Sequence, residues 1–146
     1  MDWELPLLTG QDGNKSLSIS DYRGRIVYVD FWASWCRPCL ISMPFLDALQ
    51  KEFGDRGFQV VAVNVDHDKG DAIAFLGRHP VDYPVVHAPD GQLMNHLQVV
   101  GLPTVFLLEA SGEVTLVHVG FKRSDKAFIR AVVDRALAKN QNQSRE

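Results

Sequence analysis

Seven consecutive residues, Ile26-Val27-Tyr28-Val29-Asp30-Phe31-Trp32, are β-branched or aromatic at every position but one. An extended chain with that composition is apolar on both faces and needs cover on both sides, which suits a strand at the centre of a sheet. Ala33-Ser34-Trp35 follows, then Cys36-Arg37-Pro38-Cys39 and a segment to about Phe53 with apolar residues at Leu40, Met43, Leu46 and Leu49. That spacing is helical. The two cysteines therefore fall where a buried strand passes into the first turn of a helix.

The rest of the chain alternates in the same way. Residues 3–20, with Gly10, Gly13 and Asn14, read as an N-terminal hairpin. Gln59 to Val65 reads as a second buried strand, followed by a short helix around Asp71 to Leu76 that Pro80 cannot continue. Tyr83 to His87 reads as a short strand, and Asp90 as the cap of a helix through Leu97. Thr104–Leu108 and Val114–Val119 flank the turn Glu109-Ala110-Ser111-Gly112 and predict a hairpin. A last helix from near Ser124 is expected to bury Phe128, Val132 and Ala136, with a polar, frayed tail from Lys139. Strands alternating with helices predict an α/β fold, a central mixed β-sheet flanked by helices. A length of 146 residues with 46% hydrophobic side chains fits one domain, residues 1–138, plus the tail 139–146.

Charge and cysteine usage narrow the chemistry. A net charge of -3 gives no general drive toward nucleic acid or anionic lipid. No apolar stretch approaches the ~20 residues that span a bilayer. The first residues also lack the basic-then-apolar layout of a signal peptide. Two settings fit: the cytosol, or an extracytoplasmic space reached with a signal or anchor outside this chain.

The chain has two cysteines, both in the Cys-x-x-Cys pair, and its five histidines (His67, His79, His87, His96, His118) stand at no ligand spacing. A structural zinc site normally takes four ligands, so no metal site is expected. A structural disulfide closing so short a loop would remove little entropy from the unfolded chain. Redox chemistry fits best. The thiolate is the nucleophile in disulfide exchange, and a helix N-terminus favours negative charge. Cys36 is thus the expected attacking thiol, with Cys39 one turn deeper on the same face as the resolving thiol. Pro38 suits the first turn, where its missing N–H leaves no bond unmade.

The segment Val29-Asp30-Phe31-Trp32-Ala33-Ser34-Trp35-Cys36-Arg37-Pro38-Cys39 resembles the active-site segment of the thioredoxin superfamily. Pro44 resembles the proline that kinks the active-site helix there, and Val100-Gly101-Leu102-Pro103-Thr104 is similar to the loop bearing the family's cis-proline. The N-terminal hairpin leading into Leu17-Ser18-Ile19-Ser20-Asp21-Tyr22-Arg23-Gly24, and an extra segment over roughly 66–90, are closer to the TlpA/ResA-type branch, which includes cytochrome c maturation thioredoxins. The resemblance spans about residues 3–137. It implies a thioredoxin-like fold with a TlpA-type central insert, and a thiol–disulfide oxidoreductase needing no cofactor. Its partners would be protein disulfides or thiols and a thiol–disulfide electron donor, acting on a monomer, in an extracytoplasmic setting.

Residue roles follow from the same comparison. Asp30 reads either as an acid at an exposed strand end or as a desolvated acid whose pKa rises into the range useful for proton transfer. The resemblance makes it the acceptor of the Cys39 proton, although Ala62 stands where thioredoxins place a lysine. Many TlpA/ResA-type members instead use a glutamate just after the second strand, and His67 lies near its place, either as a proton carrier or as a surface histidine. Trp35 reads as cover for the helix start and as a docking surface, Trp32 as core. Gly101, Leu102 and Pro103 would hold an extended substrate segment, with Leu102's backbone free to pair in β-fashion beside a cis bond.

Two other classes are weighed: a non-redox binding module or two-cysteine metal carrier, and a peroxide reductase of the peroxiredoxin type. The latter carries a proline and threonine before its cysteine, where this chain has Trp32-Ala33-Ser34-Trp35. Arg37 favours the thiolate and pushes modestly toward an oxidant, while the framework resemblance implies a reductase.

Overall fold

β3 (Ile26–Trp32) is buried at all seven positions, as its two-faced apolar sequence requires. The computed structural model describes residues 1–8 and 15–144. β3 pairs in parallel with β4 (Phe58–Asn64) on one side and antiparallel with β6 (Thr104–Leu108) on the other. β5 (Val85–His87) and β7 (Val114–Val119) complete a sheet ordered β5-β4-β3-β6-β7. The parallel pairs need long crossovers, supplied by α1 (Arg37–Phe53) and α2 (Lys69–Arg78). The β6–β7 hairpin closes over Glu109–Gly112, where Gly112 takes φ +91° and donates its N–H to Glu109 at 2.8 Å. Residues 66–90 supply α2 and the strand β5.

Alternation along β3 divides the core into two layers. Tyr28 and Trp32 join Cys39, Met43, Leu46 and Leu49 of α1 and Ile129, Val133 and Leu137 of α4 (Asp125–Ser144). Val27, Val29 and Phe31 face the other way, against Trp3, Leu17, Ile19 and Val99. The predicted N-terminal hairpin is present as β1 (Glu4–Pro6) paired antiparallel with β2 (Ser16–Ser18), and Gly10, Gly13 and Asn14 lie outside the described residues. Beyond β1, Leu7 bridges Val86, and the Leu8 N–H donates to Val85 at 2.8 Å.

Three expectations are corrected. Asp90 does not cap α3 (Gln92–His96): Gly91 holds the cap position at φ 74°, and Asp90 reaches the Gln92 N–H (3.1 Å) from one residue earlier. The last helix does not break at Lys139 but continues to Ser144. It also faces the core one residue away from the expected register. Ile129, Val133 and Leu137 are buried, Val132 and Ala136 lie at the margin, and Phe128 is 48% exposed against the His118 ring. Two apolar stripes run side by side on this helix, and the more branched one packs. Accordingly, Ile129→Ala is expected to lower stability by about 2–5 kcal/mol in urea denaturation. Phe128→Ala should cost less than about 1 kcal/mol, and the reverse order would contradict this register.

Candidate active site

Cys36 caps α1, in extended backbone (φ -85°), and its Sγ accepts the Cys39 N–H at 3.3 Å. Cys36 and Cys39 form a disulfide across a Cα–Cα distance of 5.3 Å. Pro38 stands in the first turn, where helix N–H groups have no partner to lose. Cys36 retains 5% of its surface and Cys39 none, so the pair reaches solvent through Cys36 alone. Trp35, 73% exposed, stands beside it, while Trp32 is wholly buried against Phe75.

The loop before β6 arrives at the same end of the sheet. Thr104 pairs with Phe31, which sets Pro103 beside the end of β3, and the Leu102–Pro103 bond is cis. Thr104 Oγ1 donates to the Gly101 carbonyl (2.6 Å), and Gly120 N–H donates to the Pro103 carbonyl (2.7 Å). Leu102 packs against both core layers, and its own N–H and C=O make no backbone hydrogen bond among the described residues. The loop is thus fixed at both flanks with an unpaired peptide edge between.

Asp30 is fully buried on the face of β3 that carries Tyr28 and Trp32, the layer containing Cys39. Neither carboxyl oxygen has a hydrogen-bond partner among the described residues, and Ala62 stands directly across in β4. Desolvation alone pushes its pKa up to about 8. The exposed-strand-end reading of this residue is therefore excluded. The Tyr83 hydroxyl, also buried and without a partner, is pushed far up by burial and, secondarily, by Asp30.

His67 is exposed. Its neighbour Asp66 is the residue that sequence reasoning missed. Asp66 Oδ1 accepts the Ser34 hydroxyl at 2.8 Å, and Oδ2 accepts the Ser34 N–H at 2.9 Å and the Asn64 amide at 2.8 Å. Asn64 Oδ1 accepts the Asp66 N–H (3.0 Å), and His87 Nε2 donates to the Asp66 carbonyl (2.8 Å). Asn64 was the available signal: an amide closing an otherwise apolar buried strand must find partners. Among the described residues no three His, Cys, Asp or Glu side chains gather as a metal site, and no helix is long and apolar enough to cross a membrane.

A cysteine pair at a helix N-terminus, with a cis-proline loop beside it on a central mixed sheet, defines a thioredoxin-superfamily protein. Residues 4–133 match the Redoxin family model, and the chain belongs to that family, in its ResA-type branch. It is similar to thiol-disulfide oxidoreductase ResA of Bacillus subtilis (35% identical over 118 residues, 80% of this chain and 66% of the relative). ResA of Geobacillus kaustophilus is 36% identical over 102 residues, 70% of this chain and 59% of the relative. The chain thus spans between 59% and 66% of the length of these curated relatives. A solved Chlorobium tepidum structure, described as a thiol:disulfide interchange protein DsbE, superposes with a TM-score of 0.88 at 42% identity, covering 94% of each chain.

Proposed function

We propose that this protein is a thiol–disulfide oxidoreductase of protein substrates, acting in the reducing direction in an extracytoplasmic setting. The observation that carries the reading is the Cys36–Cys39 disulfide at the N-terminus of α1, with Cys36 at the margin of the surface and Cys39 sealed. In the reduced protein the Cys36 thiolate attacks one sulfur of a substrate disulfide, forms a mixed disulfide and releases the first substrate thiolate. Cys39 then attacks the Cys36 sulfur, restores the Cys36–Cys39 bond and releases the second substrate thiol. Two electrons pass to the substrate, and a dithiol donor returns them to the pair. The carboxylate of Asp30 takes the Cys39 proton in the second step, its raised pKa supporting that role. Trp35, Gly101, Leu102 and Pro103 hold the substrate, the unpaired Leu102 peptide adding a short β-pairing to the attacked segment.

The TlpA/ResA-type framework, with its N-terminal hairpin and 66–90 segment, is the ground for reading the direction as reducing and the setting as extracytoplasmic. Arg37 opposes the direction modestly, since a cation near Cys36 stabilises the reduced form. Equilibration in thiol–disulfide buffers decides between them. A potential below about -200 mV is expected, whereas one near about -120 mV, the range of dedicated oxidants, would exclude a reductase.

A further inference from the structure

Asp30 and Asp66 are the two buried carboxyl groups among the described residues, and the mechanism above uses only the first. Burying a carboxylate is costly unless its oxygens are fully supplied with donors. Asp66 meets that condition with three, and two of them come from one residue, Ser34. Ser34 lies in the link between β3 and α1. The Cys36 N–H closes that link on the Ala33 carbonyl at 3.1 Å, so a held residue 34 sits inside the turn that presents Cys36. The anchor is itself braced: Asn64 and His87 tie Asp66 to the ends of β4 and β5, and Val65 N–H donates to Trp32 (2.9 Å).

We propose that Asp66 is a positioning residue for Cys36, clamping the 33–35 link through Ser34 so that the sulfur stays at the cap of α1. The proposal rests on the reading of Cys36 as attacking thiol and extends it to a residue that never touches substrate. Thiolate stabilisation by helix N–H groups falls off within the first turn, so a sulfur that wanders from the cap loses it. Asp66 therefore sustains the Cys36 thiolate by geometry, against the direction of its own charge. Deleting a nearby negative charge alone would lower the Cys36 titration. Loosening the cap raises it. The sign separates the two, with Arg37 and Asp30 unchanged throughout.

The test is the pH dependence of iodoacetamide alkylation in a Cys39→Ser background, where Cys36 is the one thiol. Asp66→Ala is expected to raise the Cys36 titration by about one pH unit, so the thiolate fraction falls about tenfold at lower pH. Its nucleophilicity rises about threefold with basicity, leaving alkylation about threefold slower. Ser34→Ala should give a smaller rise, and the double variant should match Asp66→Ala, because both remove one shared contact. An unchanged or lowered titration in Asp66→Ala, or additive effects in the double variant, overturns the clamp. If Asp66→Ala does not fold, Asp66→Asn keeps one acceptor oxygen and is read by the same sign. Insulin reduction by the parent is measured alongside. A parent active on insulin with a flat Asp66→Ala titration sinks the clamp alone; an inert parent sinks the oxidoreductase reading, and alkylation still decides the clamp.

Discussion

Cys36→Ser is expected to bring insulin reduction down to the uncatalysed background, while Cys39→Ser still attacks but accumulates as a mixed disulfide with its substrate. The asymmetry follows from burial. Cys39 has no exposed surface and lies a turn inside α1, so no incoming disulfide reaches it once the outer sulfur is gone. A serine at position 36 also removes the thiolate that the helix N-terminus is placed to stabilise. In the converse variant the outer thiol survives at its cap, and the step lost is the one that releases product. Turnover assays with dithiothreitol as donor read the first outcome, and intact-mass detection of a covalent adduct reads the second. Full turnover in both single variants would remove the two-cysteine mechanism.

Asp30→Asn is expected to stabilise the oxidised protein and to slow its catalytic cycle. With a pKa near 8 in the folded state against an ordinary 3.8, Asp30 is protonated when folded and ionised when unfolded across the interval between. The folded state then binds the extra proton, so stability is fully present below the unfolded pKa and falls as pH rises toward 8. At pH 7 that penalty amounts to about 4 kcal/mol, at roughly 1.4 kcal/mol for each pH unit above the ordinary value. An asparagine carries no such penalty and leaves a buried neutral group of the same shape. Urea denaturation should therefore find parent and variant alike near pH 4, with the variant increasingly ahead toward pH 8. Kinetically, resolution of the mixed disulfide should rise through about pH 8 in the parent and lack that rise in the variant. Equal resolution rates between about pH 6 and pH 9 would make Asp30 a structural residue only.

Much of the architecture was legible because its signals are local. β3 carries apolar residues on both faces, the Leu40–Leu49 spacing fits one helix, and Cys36 falls between them. Burial of Asp30 was one of two readings of that run, the other being an exposed strand end, and the covering layer of α1 and α4 decides for burial. The facing of α4 was not legible. Phe128/Val132/Ala136 and Ile129/Val133/Leu137 are both i, i+4 stripes, and only packing against β3 and α1 chooses between them. Asp66 was hidden for a different reason. In Asn64-Val65-Asp66-His67-Asp68 a run of polar residues after a strand reads as solvated loop, and its partner Ser34 is 32 residues away. Long-range polar pairing leaves no periodic trace, whereas apolar patterning does.

The bridge from Leu7 to Val86 also changes which edges of the sheet lie open. It passes the free edge of the main sheet outward from β5 to β1 and then to β2, which is three residues long. So short a strand makes a poor template for another chain. β7 remains as the long open edge among the described residues. Two molecules joined edge to edge through β7 would each have used the one strand able to recruit a third. Among the described residues, the fold thus offers a neighbouring strand one long edge and no second.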